Sequence, residues 1–233
     1  MTTLKKHSAK DYEGKDELFI MQEAKNYNRY LTQCILSSIK KGSVLDFGAG
    51  IGLFADLIKP HCDQLSCLEI DPTQVEILSK NGHQVVTNLD DISDNTFDVI
   101  YSLNVLEHIK NDLDTLAKLH KKLKPDGLLY LYLPARQELY SSFDKKVGHY
   151  RRYHKKDLID KVKTSGFSID TCVYKDTLGY IVALIFKFVS TSDTISVSSI
   201  RIYDKVIFPI SKVFDKIFRG KIPGKNIEII CRK

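Results

Sequence analysis

An α/β fold, a mostly parallel sheet with helices on both faces, is predicted for this chain by three observations. Segments of strand and helix character alternate from about residue 43 to residue 175. The first of these strands, "SVLDF", runs straight into Gly48, Gly50 and Gly52 and then into an apolar helical pattern. A strand, a glycine loop and a helix form the first turn of a nucleotide-binding α/β sheet. Finally, 233 residues at 43% hydrophobic and 27% charged suit one substantial buried core.

Taken in order, residues 1–17 read as a polar arm with no apolar signal-peptide region. From Glu17 to Lys40, the residues Phe19, Ile20, Ala24, Tyr27, Leu31, Ile35 and Ile39 recur at helical spacing and predict one or two helices. Residues 51–59 continue the glycine loop as a helix. "LSCLEI" (65–70) reads as a strand. The next helix has Asp71 as its cap, Pro72 in its first turn and Gly82 past its end. "HQVVT" (83–87) and "FDVIYSL" (97–103) read as strands. A helix over 109–124 stops before "KPDG", and "LLYLYLP" (128–134) is the strand after it. "KKDLIDKVKTSGF" is a helix ending at Gly166, and "SIDTCVYK" is a strand.

The remaining residues, from 176, differ. "LGYIVALIFKFV" (178–189) is apolar all round but only twelve residues long, whereas a membrane span needs about 20. It reads as a buried or capping helix. The segment 198–220 places Ile200, Tyr203, Val206, Ile207, Ile210, Val213, Phe214 and Ile217 on one face, with Arg201, Lys205, Lys212, Lys216 and Arg219 elsewhere. That is an amphipathic helix with a kink expected at Pro209. "NIEIICRK" reads as a last strand.

Charge is uneven. From Ser198 onward there are nine Lys/Arg against three Asp/Glu, a net of +6 that equals the whole chain's +6, so residues 1–197 sum to zero. A general nucleic-acid binder is not expected to look like this. The basic tail has three readings: a cap over a substrate pocket, a contact with an anionic membrane surface, or a dimer interface. The five cysteines form no metal-ligand spacing and their number is odd. A reducing cytoplasm fits, possession of a metal site is not expected, and a metal-dependent transfer is disfavoured.

Two ligands compete for the glycine loop. Dinucleotide loops follow GxGxxG, with a diphosphate on the helix N-terminus. Here the order is Gly48, Ala49, Gly50, Ile51, Gly52, with Asp46 two residues before the first glycine. A carboxylate there suits a sulfonium and an ammonium better than a diphosphate. Glu69, at the end of the second strand, can accept bonds from ribose hydroxyls.

At these residues the sequence resembles the class I S-adenosylmethionine (SAM)-dependent methyltransferases. "VLDFGAGIG" is similar to their first motif, "LEID" to their second, and "FDVIYSLNVLEHI" to their fourth strand and its turn. The resemblance implies a Rossmann-like, seven-stranded, mostly parallel sheet with a helical C-terminal elaboration before the last strand. It divides the chain into arm and lid helices (1–40), a cofactor-binding core (41–175), a helical cap (176–225) and a closing strand (226–233). It implies SAM as cofactor and S-adenosylhomocysteine as product. Cofactor contacts are then expected at Asp46, Gly48, Ala49, Gly50, Gly52, Glu69, Ile70, Leu89 and Asn104, with Asn88 and Asp90 as rival adenine contacts. "EAKNYNRYL" resembles a helix that closes over the cofactor, which nominates Tyr27 and Asn28.

Methyl transfer needs alignment of donor and acceptor, exclusion of water and, for some acceptors, a base. "GHYRRY", in the loop after the fifth strand, makes His149 a candidate base and Tyr150, Arg151, Arg152 and Tyr153 candidate acceptor contacts. Arg151 or Arg152 pairing internally with Asp144 or Glu138 is the other reading. His108 is open between an active-site wall and a packed histidine. The expected activity is methyl transfer to an oxygen or nitrogen of a small polar, glycan-linked or lipid-linked acceptor. A nucleic-acid methyltransferase and a catalytically silent SAM-binding module are the alternatives.

Overall fold

The computed structural model describes residues 20–39, 41–189 and 197–233. The polar arm expected over 1–17 lies outside the described residues. Within them, seven strands form one sheet in the order β3-β2-β1-β4-β5-β7-β6. The strands are β1 (Ser43–Phe47), β2 (Gln64–Leu68), β3 (Gln84–Val86), β4 (Phe97–Leu103), β5 (Leu123–Pro134), β6 (Ser168–Lys175) and β7 (Asn226–Arg232). Pairings from β3 to β5 are parallel, and β7 lies antiparallel between β5 and β6. The winding reverses between β1 and β4. A crevice therefore opens at the carboxyl ends of those two strands, the usual place for a ligand in an open α/β sheet.

Alternating side chains feed two cores. On one face Val44, Val99, Tyr101, Tyr130 and Tyr132 meet α1 (Lys25–Ser38), α2 (Leu53–Ile58) and α3 (Pro72–Lys80). On the other, Leu45, Ile100, Leu129 and Leu131 meet α4 (Asp112–Lys122) and α6 (Lys155–Thr164) through Leu116, Leu119, Leu158 and Val162. A short α5 (Ser142–Lys146) sits in the loop after β5. Asp71 caps α3 as expected, its Oδ1 accepting from the Thr73 and Gln74 N–H groups. β5 begins five residues before the expected strand, because "KPDG" stays in the sheet as an irregularity in the pairing with β4.

The elaboration comprises α7 (Thr177–Val189), α8 (Val197–Ile202), a π-helical turn (Tyr203–Ile207) and α9 (Phe208–Phe218). The expected kink is this π turn, and Pro209 follows in the first turn of α9, where its missing N–H costs nothing. The single apolar face expected here divides. Ile200 and Phe208 enter the core, while Val206, Ile210, Val213 and Ile217 remain 48–66% exposed. Ile202 joins this outer stripe at 61%. Among the described residues, no helix is long and apolar enough to cross a membrane.

The N-terminus of α1 has no local cap. Asp204, in the π turn, supplies one: its carboxylate accepts from the Asn26 N–H at 3.0 Å and the Tyr27 N–H at 2.8 Å.

Candidate active site

The glycine loop leaves β1 with Gly48, Gly50 and Gly52 at φ of +82°, +59° and +90°. Side chains resist that region. Space forbids them as well: a Cβ on Gly48 would lie 2.3 Å from Val105 Cγ2, and one on Gly52 would lie 2.9 Å from Leu78 Cδ2. The loop after β1 therefore rests against the turn after β4. Glu69 fixes the loop from the side. Its Oε2 accepts from the Gly50 N–H at 2.8 Å, and its Oε1 from the Ile70 and Asp71 N–H groups at 2.7 and 3.0 Å. Its expected partners were ribose hydroxyls. Three main-chain donors hold it here, and a carboxylate with about four acceptor positions keeps one to spare.

Asp46 is buried beneath the loop, its Oδ2 accepting from the Tyr101 hydroxyl at 2.7 Å. Burial pushes its carboxyl up to about 7, against the pull of Tyr101. Ala49 donates its N–H to Leu68 O. Ile70 stands 76% exposed just past β2, an apolar surface beside the loop. Asn88 accepts from the Asp90 N–H, while the Asp90 carboxylate is drawn to Lys118 at 2.9 Å; Leu89 is buried. Asn104, at φ +52°, is exposed at the end of β4.

Two expected contacts turn inward. Tyr27 is buried, its ring edge-on to Phe208 and Tyr132 at 4.9 and 6.2 Å. Asn28 is buried and donates to Met21 O at 2.9 Å. Both serve the seat of α1, because the helical period that puts Leu31 and Ile35 in the core carries Tyr27 with them. Asn28 also borders a cavity of about 340 Å³ between α1 and α2, with Arg29, Thr32 and Leu53 on its walls.

Beyond Val105 the chain enters a nest of charged groups. His149 Nδ1 lies 2.7 Å from Asp144 Oδ1, and Arg152 Nε donates to that same oxygen at 2.9 Å. Burial alone would raise the Asp144 carboxyl; His149 and Arg152 outweigh it and hold it below the carboxylate range. His149 Nε2 faces Glu107 Oε1 at 3.7 Å. Glu107 is fully buried, and neither of its carboxylate oxygens has a hydrogen-bond partner among the described residues. Burial lifts it to about 8. His108 stacks edge-on with His149 at 4.6 Å, and burial, then the neighbouring His149, lower it to about 4. His108 is thus part of the nest's wall.

The arginine–tyrosine loop divides. Arg151 pairs with Asp112 at 2.6 Å, and Tyr153 donates its hydroxyl to Asp112 at 2.9 Å; Lys161 joins them. Arg151 and Tyr153, expected to contact an acceptor, are both held by this buried carboxylate, and both line a cavity of about 250 Å³ with Arg152 and His154. Arg152 is taken up by Asp144, although its Nη1 is buried without a partner among the described residues. Tyr150 alone of the four is exposed. Neither Glu107 nor Asp112 is marked out by the sequence motifs as a site residue. The adjacency of Glu107 and His108 was the available signal for the first.

The sequence matches the family described as "Methyltransferase domain" over residues 20–171. It is 30% identical over 189 residues to the uncharacterized protein MJ0638 of Methanocaldococcus jannaschii, covering 80% of this chain and 77% of that one. It is 27% identical over 106 residues to an uncharacterized methyltransferase of Schizosaccharomyces pombe, covering 38% and 37%. Among solved structures, a SAM-dependent methyltransferase from Archaeoglobus fulgidus superposes with a TM-score of 0.65 at 19% identity, over 93% of this chain and 99% of that one. One from Mesorhizobium loti gives 0.60 at 13%, over 87% and 96%.

Proposed function

This chain belongs to the methyltransferase-domain family and has the fold of the class I, SAM-dependent methyltransferases, and on that premise we propose that it methylates an oxygen or nitrogen atom of a polar, lipid- or glycan-linked acceptor. When bound, SAM supplies a methyl group on a cationic sulfur. The residues present fit such a donor. Gly48, Gly50 and Gly52, all at positive φ, give the loop three positions without side chains, where main chain can lie close to a ligand. Asp46 is a buried carboxylate whose raised pKa marks a missing positive charge, and Ile70 offers an exposed apolar face.

The observation that carries the reading is convergence. Gly48 touches Val105, and two residues further along the chain stands Glu107, facing His149. The donor loop and the only described nest of buried carboxylates and histidines thus share one edge of the sheet. Asp144 Oδ1, 2.7 Å from His149 Nδ1, orients the ring so that Nε2 faces Glu107. That nitrogen is the group to receive a proton from an acceptor O–H or N–H as the new bond to carbon forms. The full burial of Glu107 beside this nitrogen limits the access of water.

A lipid-linked acceptor is favoured by the outer stripe of α8 and α9. Ile202, Val206, Ile210, Val213 and Ile217 are exposed, and Arg201, Lys205, Lys212 and Lys216 each precede one of them or the next turn. An apolar strip with a basic edge suits an anionic membrane surface. Incubation of the purified protein with methyl-labelled SAM and fractionated cell extract tests the substrate. Label is expected in the lipid-extractable fraction. Label confined to protein or nucleic acid overturns the proposal. Vesicle sedimentation tests the surface: Ile210→Glu with Val213→Glu is expected to abolish pelleting with anionic vesicles, and equal pelleting of both forms removes the membrane role.

A further inference from the structure

We infer that Glu107, His108 and His149 bind one divalent transition-metal ion of the zinc class, beside the donor loop. Each offers a ligand atom, and these atoms all lie within 4.8 Å of one another. For a tetrahedral ion with bonds of about 2.0–2.1 Å, ligand atoms stand roughly 3.3 Å apart. The Nε2–Oε1 separation of 3.7 Å is already close to that.

Three features beyond proximity point to a cation. Glu107 has no exposed surface, and both its carboxylate oxygens lack a hydrogen bond among the described residues, which is costly for any polar group and most for a charged one. Opposite it, at 3.7 Å, stands Nε2 of His149, a spacing longer than a hydrogen bond and near that of two ligands on one ion. Finally, Asp144 holds Nδ1 of His149 from behind. A carboxylate or carbonyl behind a histidine is how metal-bound imidazoles are fixed in tautomer and direction.

Arg152 is the nearby cation, and its Nε is paired with Asp144 at 2.9 Å. The ligand set selects the ion: two nitrogens and one carboxylate suit zinc, cobalt or iron(II), whereas magnesium and calcium favour oxygen throughout. Three protein ligands leave at least one position for an outside ligand. The ion's role rests on the methyltransferase reading: it holds an acceptor oxygen and lowers its pKa, so that the proton passes to solvent. His149 Nε2 is a ligand in that state, and serves as a base only in metal-free protein.

The full chain, stripped with chelator, is titrated with Co²⁺ while its visible absorption is followed, and Zn²⁺ is then added in competition. One equivalent of Co²⁺ is expected to give a ligand-field spectrum that Zn²⁺ removes, together with a rise in thermal midpoint. His108→Ala, His149→Ala and Glu107→Gln are each expected to weaken uptake at least 100-fold. His61→Ala, at an exposed histidine, is expected to change nothing. Far-ultraviolet circular dichroism checks folding, and His108→Asn stands in if His108→Ala does not fold. No stoichiometric uptake by folded wild type, or equal uptake by the histidine variants, overturns the inference. Calorimetry with S-adenosylhomocysteine on the same chelated samples keeps the two claims apart. Donor-product binding without metal uptake sinks the ion and leaves the methyltransferase reading. Metal uptake at these residues without donor-product binding does the reverse.

Discussion

The donor loop and the charged nest touch through Gly48 and Val105, yet they are made in opposite ways. The loop is a single run of residues, 46–52, whose function lies in its main chain and in what its glycines lack. The nest is made of side chains brought from the turn after β4, from α5 and from the loop behind it. The first can be damaged only by adding atoms. The second fails by losing any one of several distant groups. Two neighbouring sites in one crevice therefore respond to mutation by different rules.

That contrast can be broken at either side. The largest effect is expected at His149: alanine should lower turnover by about 10²–10⁴-fold while leaving S-adenosylhomocysteine affinity unchanged. A parallel loss of affinity in calorimetry would merge the two sites into one. Next comes Asp112, which accepts from Tyr153 and pairs with Arg151 and Lys161 in the interior. Asp112→Ala leaves charges stranded and should cost about 3–5 kcal/mol in denaturant unfolding. Arg151→Met should likewise destabilise without raising the KM for acceptor; a raised KM would return Arg151 to the binding surface.

The third effect belongs to the loop. Gly48→Ala adds a carbon at φ +82° and drives it into Val105. Donor affinity should fall by about 10–100-fold, from left-handed strain of roughly 1–2 kcal/mol and the clash. Adding Val105→Ala should recover the share due to the clash, and no recovery would mean that backbone strain alone is at work. The smallest effect is a slope in pH. The Asp46 carboxyl stands near 7 in the fold against about 4 when unfolded. Folded protein therefore holds this proton more tightly. The stabilisation is complete below about pH 4 and disappears as pH rises through 7. Thermal midpoints from pH 4.5 to 8 should decline more steeply in wild type than in Asp46→Asn.

The same contrast explains what the sequence disclosed. The alternation of strands and helices, the glycine loop and the Asp71 cap were legible because each depends on near neighbours or on hydrophobic period. The charged nest was not, since no spacing rule joins Glu107 to a histidine 42 residues later. Arg151 and Tyr153 looked available for an acceptor because Asp112, some 40 positions earlier, is silent in the sequence as a partner. The apolar face of 198–220 divided because the inserted π turn shifts the helical phase between Ile202 and Phe208.

The cap that Asp204 places on α1 ties together segments 178 residues apart. α1 packs with α2, the helix that follows the glycine loop, in a hydrophobic cluster that also takes in Ile200 and Phe208. A carboxylate near the far end of the chain thus helps to seat the helix that lies against the one leaving the glycine loop.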